Sequence, residues 1–530
     1  MMVYDTTLTT LCLWNGSAWE FISDNSNECC ISVKDFGAKG DGVTDDTIAI
    51  QAAITSLQTT GGCVCIPTGT YVVSNTITIP SKVSVTGSGT ASTVISATLA
   101  MTNLQDVFYA NGSSFVSLSN LSILGNTNGT NGAGSGIHLK SGSNNKVSNV
   151  YIENTTQAGI RLEEQNDSSV TLCTLSFCGR TGYTDNHGIM VYSVAGSVVP
   201  NYSVKITNNT IRSSFRKGIT TYAPNASIYD LLIDGNTVTS SGLGNIYIGG
   251  PNQSNIRIAN NYLSNGYVNM QIGPVSNSII DSNSMDGSTY SNILLFDSES
   301  VVVSNNTISN SGVHGLDFDV IATRNRQVIV SGNVVYNSNR TSVAFGCGIN
   351  IANADNTSVV SNIVFDNAVS ILSTQGIVDS VGSTNSQIQS NTVFNTGTKY
   401  LIQSPTALLQ DVTFGQTFDF LSGLKVQQTQ TTVVNGGNDN VALPVRAGVL
   451  RLTGPTGVYQ ITGITGGSLG RQLTLVNDTN FALTLVINSG SSSAGNRFYL
   501  SGSVNKTVAA YSSVMLMYVT AQGNNFWTDV

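Results

Sequence analysis

An asparagine recurs through the middle of this chain at intervals of roughly 20 to 30 residues, and this repeat constrains the fold more than any other feature. Each copy stands beside short runs rich in valine, isoleucine and threonine, without an amphipathic helical pattern. The period therefore predicts strands stacked coil upon coil, with the asparagines hydrogen-bonded as a ladder inside one corner. The aligned positions are Asn120, Asn149, Asn209, Asn236, Asn261, Asn283, Asn306, Asn333, Asn362 and Asn391.

Composition supports an all-β globular protein and argues against several function classes. Of the 530 residues 40% are hydrophobic and only 10% are charged, and the apolar residues alternate as they do in strands. The net charge is −8 and no basic run occurs, so we expect no nucleic-acid partner. No apolar stretch is long enough for a membrane span, and the N-terminal residues lack the basic and apolar pattern of a signal peptide.

Eight cysteines are present, and their spacing does not form a metal-binding motif. We therefore predict neither a metal nor a cofactor. Their simplest interpretation is small buried side chains in a reducing compartment, and a disulfide involving Cys29 or Cys30 is the alternative.

Changes in composition and residue pattern along the chain predict four segments. "LCLWNGSAWEFIS" indicates a hairpin in a short head, and the asparagine pattern stops near residue 400. Beyond it, many short strand-like runs alternate with Gly and Asn turns, which is typical of a β-sandwich. The segments are a head (1–30), a parallel β-helix (31–400), a connector (401–427) and a C-terminal β-sandwich (428–530). The ending "SVMLMYVTAQGNNFWTDV" resembles the C-terminal modules of phage tail spikes and fibres, and this resemblance implies a module that trimerises the protein or binds carbohydrate.

The strongest family signal is "DFGAKGDGVTDDTIAIQAAI" followed by "GGCVCIPTGTYVV". This stretch closely resembles the opening of the pectate-lyase-like superfamily, which includes polygalacturonases and bacteriophage tailspike depolymerases. The resemblance implies a right-handed single-stranded parallel β-helix whose first coil is covered by a capping helix, with Thr44 or Asp45 at the helix start. The polygalacturonase motifs "NTD" and "RIK" do not occur, so that family's catalytic set is not transferred.

A second strand follows each asparagine turn, as in "GIHLK", "GIMVYS" and "GLDFDV". Because side chains alternate along a strand, the third and fifth places of each should point outward on one wall. Tyr192, Tyr222, Tyr247 and Phe296 then form an exposed aromatic surface of the kind that binds sugar rings. The residues predicted to bind substrate are Tyr192, Tyr222, Tyr247, Gln271, Phe296, His314, Arg324 and Asn350.

Asp317 and Asp319 are the sharpest catalytic candidates. They lie two residues apart on one strand, so their Cα atoms should be roughly 6.5 Å apart with both side chains outward. An inverting glycosidase needs two carboxyl groups at about this separation, one as acid and one as base. Asp297 and Glu299, one coil earlier, are possible partners.

An alternative catalytic cluster lies about seven coils away. A polysaccharide lyase needs a base beside a uronate carboxylate and a cation to neutralise that carboxylate. Roughly 34 Å separates this cluster from Asp317, so the two cannot act on one bond. Its members are His138, Arg161, Glu163, Asp185 and His187.

These features together predict a tailspike-like protein of a virion that binds and cleaves a bacterial capsule or O-antigen polysaccharide, by hydrolysis in the favoured interpretation. A lyase and a non-enzymatic receptor-binding spike are the alternatives. We expect a homotrimer whose short head docks on the phage baseplate or another tail protein.

Overall fold

The chain divides into two compact units, Met1–Ser422 and Gly423–Val530. No helix in the described part of the chain is long and apolar enough to cross a bilayer. The computed structural model describes residues 2–5, 10–14, 19–22, 30–126, 132–180, 185–342, 345–367, 375–404, 406–410, 419–420, 428–444, 447–521 and 524–530.

The first unit is an all-β parallel solenoid of about 15 turns, which confirms the predicted class. Among its described residues, a larger sheet runs from Cys30–Ser32 to Leu408–Gln410, and a fourteen-stranded sheet covers another side. Strands one coil apart pair in parallel, as His187–Tyr192 does with Lys217–Tyr222. The fourteen strands are Ile77–Thr78, Phe108–Asn111, Ile137–Lys140, Ile160–Glu163, His187–Tyr192, Lys217–Tyr222, Gly244–Ile248, Val268–Ile272, Ile293–Phe296, Leu316–Asp319, Cys347–Ile351, Gln375–Asp379, Thr398–Ile402 and Asp419–Phe420.

The asparagine ladder is confirmed for eight of its ten predicted members. From Asn209 to Asn391 the side chains are buried. Asn283 is typical, because its Nδ2 donates to Asn306 Oδ1 at 3.0 Å and to the Ile258 carbonyl at 2.9 Å. The side-chain amides of the ladder are thereby hydrogen-bonded within the buried corner. This pairing is needed because a buried amide group without a partner would cost about 1–3 kcal/mol.

The first two ladder assignments were wrong by one residue. Asn120 and Asn149 adopt left-handed backbone, with φ of 59° and 50°, and Asn149 Nδ2 bonds to Asn120 Oδ1 on the outside of the corner. The inward place in these coils is taken by Leu121 and Val150, which are buried and apolar. Asparagine tolerates left-handed backbone, so the same residue type serves both the outer and the inner place of a corner.

The only α-helix in the described residues is Thr47–Ser56. Ile50, Ala53 and Ile54 bury themselves in the same apolar core as the strands, whereas Ile48 is exposed. Nearby, Cys30 and Cys63 form a disulfide between paired strands. The alternative prediction of a disulfide involving Cys30 is therefore confirmed, and the simpler interpretation of buried thiols was wrong for these two cysteines. Cap function for the helix remains a proposal.

Strands flank the solenoid at both ends of the first unit. Met2–Asp5, Thr10–Trp14 and Trp19–Ile22 form an antiparallel sheet with Trp14 opposite Trp19, in agreement with the predicted hairpin. The predicted turn at residues 15–16 lies outside the described residues. Parallel pairing also continues past residue 400, because Leu408–Gln410 and Asp419–Phe420 join the solenoid sheets.

The second unit contains two sheets around one apolar core. In each sheet the first pairings are parallel and the last are antiparallel, a mixed arrangement that a simple antiparallel sandwich lacks. One described sheet contains Gln428–Thr432, Val449–Thr453, Gln472–Asn477, Ser513–Ala521 and Asn524–Asp529. The other contains Gly436–Asn438, Tyr459–Ile461, Leu483–Leu485 and Lys506–Val508.

Candidate functional site

The outer face of the fourteen-stranded sheet carries the predicted wall. Alternation is observed as expected, because Ile189 and Val191 point into the core while Tyr192 lies outside it. The third places are less accessible than predicted, since Met190 and Thr220 are each 2% exposed. The wall therefore has a recessed floor along its third column rather than a flat exposed surface.

An open groove of about 420 Å³ lies over the strands that begin at His187 and Lys217. Tyr192 and Tyr222 stand at one side as a stacked pair, with ring centroids 6.1 Å apart. Tyr247 contributes from the next coil, and Asp185 lines the groove before His187. The groove thus combines aromatic surface with several titratable side chains.

His187 lines the groove but is only 6% exposed, and its Nδ1 is enclosed and has no hydrogen-bond partner within the described residues. Burial, together with the positive charges of Lys217 and Arg216, lowers the pKa of His187 to about 3. The imidazole is therefore neutral at ordinary pH and retains a lone pair. A neutral imidazole in a groove is suited to accept a proton from a bound ligand.

Lys217 lies directly opposite His187 in the neighbouring strand. Its Nζ is 2.9 Å from the centroid of the Tyr247 ring, and no carboxylate of the described chain forms an ion pair with it. Burial and the neighbouring Arg216 lower the pKa of Lys217 to about 7. An ammonium held on an aromatic face without an anionic partner is a binding site for an anion.

A second recess of about 420 Å³ adjoins this groove and shares Asp185 with it. Arg161 lines the recess, contacts Asp185 at 3.3 Å and lies over the Tyr192 ring at 4.6 Å. His138 and Tyr109 complete the adjacent surface with their rings 5.0 Å apart. The alternative cluster predicted from the sequence is thus brought together on one wall.

Glu163 is the centre of that cluster. It is 1% exposed and accepts from His138 Nε2 at 3.0 Å and Lys140 Nζ at 2.8 Å, with Arg161 at 3.3 Å. Burial opposes ionisation, but these donors outweigh it and lower the pKa of Glu163 to about 2. His138 also contacts Asp106 at 2.8 Å, so both of its ring nitrogens are engaged. His138 and Glu163 therefore hold Arg161 in place instead of offering a free base.

Asp317 lies on the same wall but is enclosed. Only 5% of it is exposed; Asn350 Nδ2 donates to its Oδ1 at 2.8 Å and Ser291 Oγ to its Oδ2 at 3.4 Å. Burial raises its pKa to about 7, the Asn350 hydrogen bond opposes this, and the charge of Asp319 adds to it. His314 Nε2 is 4.0 Å away, and burial lowers its pKa to about 4. The expectation that Asp317 is an outward accessible side chain was wrong, because its neighbours cover it.

The other predicted acids are separated by the turn of the coil. Asp319 is exposed at the end of its strand, where it accepts from the backbone of Val320. Asp297 accepts from the backbone N–H groups of Ile321, Ala322 and Thr323 and so fixes a turn. Glu299 belongs to the larger sheet, opposite Arg326.

The predicted substrate-binding residues fall into two groups. Tyr192, Tyr222 and Tyr247 line the open groove, and Gln271 lies opposite Tyr247 in the next strand. Phe296 is only 4% exposed, so its assignment to the exposed aromatic surface was wrong: its ring is packed. Arg324 pairs with Asp355 at 2.8 Å and contacts the carbonyls of Ala354 and Gly382, which ties neighbouring coils together.

Sequence reasoning missed Lys217 and Arg216. The signal was available, because "RKGITTY" aligns with "NHGIMVY" and places Lys217 opposite His187. Asp106 and Tyr109 were also missed, since they lie before the clear repeats begin. The described residues contain no group of three His, Cys, Asp or Glu side chains arranged to hold a metal ion.

Comparisons with known proteins agree with this fold. Residues 30–238 match the family described as rhamnogalacturonase A/epimerase, pectate lyase-like, and residues 187–344 match the right-handed β-helix region family. Over 113 residues the chain is 40% identical to mannuronan C5-epimerase AlgE2 of Azotobacter vinelandii, covering 19% of this chain and 11% of that protein. Over 151 residues it is 33% identical to the pre-neck appendage protein of Bacillus phage B103, covering 26% and 17%. The chain therefore spans less than a fifth of either relative.

Solved structures share the solenoid at low sequence identity. The AlgE6 A-module of Azotobacter vinelandii has a TM-score of 0.51 and 19% identity, covering 73% of this chain and all of that chain. Tailspike protein 3 of bacteriophage CBA120 has a TM-score of 0.50 and 15% identity, covering 74% and 62%. Likeness at this identity establishes the architecture and leaves the chemistry to be argued from the side chains.

Proposed function

We propose that this chain, which belongs to the pectate-lyase-like parallel β-helix family, binds an acidic polysaccharide along its fourteen-stranded sheet and removes a proton beside a uronate carboxylate. The observation that carries the proposal is the pair formed by Lys217 and His187. One is an ammonium without an ion-pair partner in the described residues, and the other is a neutral imidazole that lines the same groove.

The cationic and the aromatic side chains of the groove have different roles in binding. Lys217 and Arg161 attract the uronate carboxylate, and Tyr222 and Tyr247 offer ring faces to the sugar. Arrival of the carboxylate adds a negative charge beside His187, which offsets the cations that depress its pKa. Substrate binding therefore counteracts the charge contribution to the lowered pKa of His187, whereas the larger contribution from burial stays in place.

The chemical step follows from removal of the C5 proton. His187 takes the proton, and the electron pair is delocalised onto the carboxylate that Lys217 neutralises. If the C4–O bond then breaks, a C4=C5 double bond forms, the leaving oxygen takes a proton from water, and the polymer is cleaved. If water instead delivers a proton to C5 from the opposite face, C5 is inverted, and the proton held by His187 passes to the hydroxide that remains. Relatives named as a mannuronan C5-epimerase and an alginate lyase support this class of reaction.

The direct test is incubation with mannuronan, polygalacturonate and a glucuronate-containing capsule. We expect a new ultraviolet-absorbing double bond or an altered C5 configuration with one of these polymers, and loss of either product in His187→Ala and Lys217→Ala. Thr392→Ala, an exposed change on the larger sheet, is the matched control. Full activity of both groove variants overturns the assignment.

Hydrolysis by Asp317 and Asp319 is the second candidate. It is favoured by one observation: a carboxyl group whose pKa is raised to about 7 lies beside a second, exposed carboxyl group, as an acid and base pair requires. Asp317→Asn and Asp319→Asn separate the two candidates. If they abolish shortening of the polymer and the products lack a double bond, hydrolysis is the reaction.

We also propose that the protein is a virion tail component, in which the polysaccharide is a bacterial capsule or O-antigen. Similarity to a phage pre-neck appendage protein supports this role. A homotrimer, with the head on a baseplate or another tail protein, completes the proposal. Light scattering of the purified chain and antibody labelling of virions test it; a monomer that is absent from virions contradicts it. Binding to bacteria without any change in the polymer indicates a receptor-binding spike.

A further inference from the structure

A separate groove of about 580 Å³ lies on the larger sheet, well away from His187. Four successive coils each contribute one residue to its floor, and these residues are neighbours in the strand register. They are Ile329, Ser358, Gln387 and Leu408. The coil of Ile329 is five coils beyond that of His187, roughly 24 Å along the axis. The two grooves therefore cannot contact the same sugar ring.

One side of this groove is a rail of amides. Gln327, Asn356 and Asn385 occupy the same corner of successive coils, all with left-handed φ between 52° and 54°. Asn385 Nδ2 donates to Asn356 Oδ1 at 3.1 Å, and Gln327 Oε1 accepts from Ser300 at 3.0 Å. One hydrogen bond thus joins Asn385 to Asn356, and Ser300 holds Gln327, so the three side chains are ordered along the groove.

The floor of the groove carries apolar side chains that no described residue covers. Ile329 and Leu408 remain 42% and 52% exposed there. A ligand with an apolar face that covers them removes this surface from water, which is favourable.

We propose that this amide groove, formed by Gln327, Ile329, Asn356, Thr357, Gln387 and Leu408, binds a neutral oligosaccharide. Amide and hydroxyl side chains match sugar hydroxyls, and the two aliphatic side chains match the C–H faces of pyranose rings. None of the described residues that line the groove is lysine, arginine, aspartate or glutamate, although charged side chains line the recess that adjoins it at Gln327 and Asn356. Its chemistry therefore differs from the cationic groove at Lys217, which selects an acidic sugar.

The test is calorimetric titration of the full chain with maltohexaose, cellohexaose and N-acetylchitohexaose. We expect at least one to bind at millimolar or lower concentration, and binding to weaken at least tenfold in Gln387→Ala and in Ile329→Ala. Thr392→Ala, an exposed residue following in the coil of Gln387, should bind as the wild type does. All three variants should process the polymer at the wild-type rate, and equal melting temperatures show that they are folded.

Three outcomes of the titrations overturn the proposal. They are the absence of binding by all three oligosaccharides, unchanged binding in both groove variants, and loss of binding in Lys217→Ala instead. A fall in oligomer mass caused by Leu408→Arg also overturns it, because the groove is then an interface between copies of this chain.

Discussion

His187 and His314 occupy the same place in the fourteen-stranded sheet, five coils apart, and their surroundings differ completely. His187 is the first residue of its strand and His314 lies two residues before Leu316, the first residue of its own strand. The strand register connects the two positions through Lys217 and the coils between them. At His187 the wall is open and cationic. At His314 the ring packs against Cys347 Sγ at 3.1 Å, and the wall is closed over Asp317.

The difference shows that a shifted pKa does not by itself identify a reactive group. Burial shifts the pKa of both histidines downward and that of Asp317 upward. Of the two regions, that of His187 combines such a group with a groove and a cation that has no ion pair within the described residues. The exposure of the groups themselves does not separate the regions, since His187 is 6% and Asp317 5% exposed. An adjoining groove and an unbalanced charge, rather than the size of a pKa shift, distinguish the candidate active site from a polar cluster in the wall.

Exchange of each histidine for alanine should separate the two regions most strongly. We expect His187→Ala to lower the initial rate on the active polyuronate by at least about 100-fold, because general-base contributions are of that order. His314→Ala should change the rate less than about threefold in the same assay. The reverse order would transfer the chemistry to the Asp317 region.

The pH dependence should follow Lys217. Its pKa of about 7 means that the ammonium is present below pH 7 and is lost as the pH rises. We therefore expect kcat/KM to fall above pH 7, chiefly through KM, because the uronate loses its counter-charge. Lys217→Arg, which stays protonated, should move that fall upward by at least about one pH unit. An unchanged profile in the variant contradicts a charge role for Lys217.

Asp317 should affect stability rather than rate. Its pKa is raised from 3.8 to about 7 in the folded protein, so the folded state holds this proton longer than the unfolded chain. Protonated Asp317 contributes fully to the free energy of unfolding below about pH 4, and this contribution is lost as the pH rises to about 7. The loss amounts to on the order of a few kcal/mol. Urea unfolding at pH 5 and pH 8 should show a smaller pH dependence in Asp317→Asn than in the wild type. Equal pH dependence in the variant and the wild type would contradict a raised pKa of Asp317 in the folded protein.

The smallest expected effect concerns the aromatic edge of the groove. Tyr222→Ala should raise KM by about three- to tenfold, since one aromatic contact is worth about 0.5–1.5 kcal/mol. Tyr229→Ala is the control, because Tyr229 stacks on Tyr202 outside the groove, on the larger sheet. A comparable KM change in both variants shows that the effect is structural.

The fold was predictable because its signal repeats. Each coil restates the same pattern, so a one-residue error at Asn120 and Asn149 left the architecture unaffected. Alternation on the strands also identified Tyr192, Tyr222 and Tyr247 correctly as wall residues. Where the pattern ends, near residue 400, the predicted connector begins although parallel pairing continues.

The site was less predictable because accessibility depends on the loops and corners between the repeats. Alternation places Asp317 and Phe296 outside the core, and it does not show that neighbouring coils enclose them. Lys217 was missed because it lies one place before the strand columns that were aligned, in the same column as His187. The sequence pattern alone could have placed Lys217 opposite His187. It could not show that a groove lies over the two residues, or that Lys217 has no ion pair within the described residues.

The most direct measurement uses the active polyuronate carrying deuterium at C5. The account predicts that wild-type protein releases this deuterium to water with a primary isotope effect, that His187→Ala releases none, and that Asp317→Asn releases it at the wild-type rate. Shortening of the polymer with its C5 deuterium retained, or release that persists in His187→Ala, would contradict proton abstraction at His187.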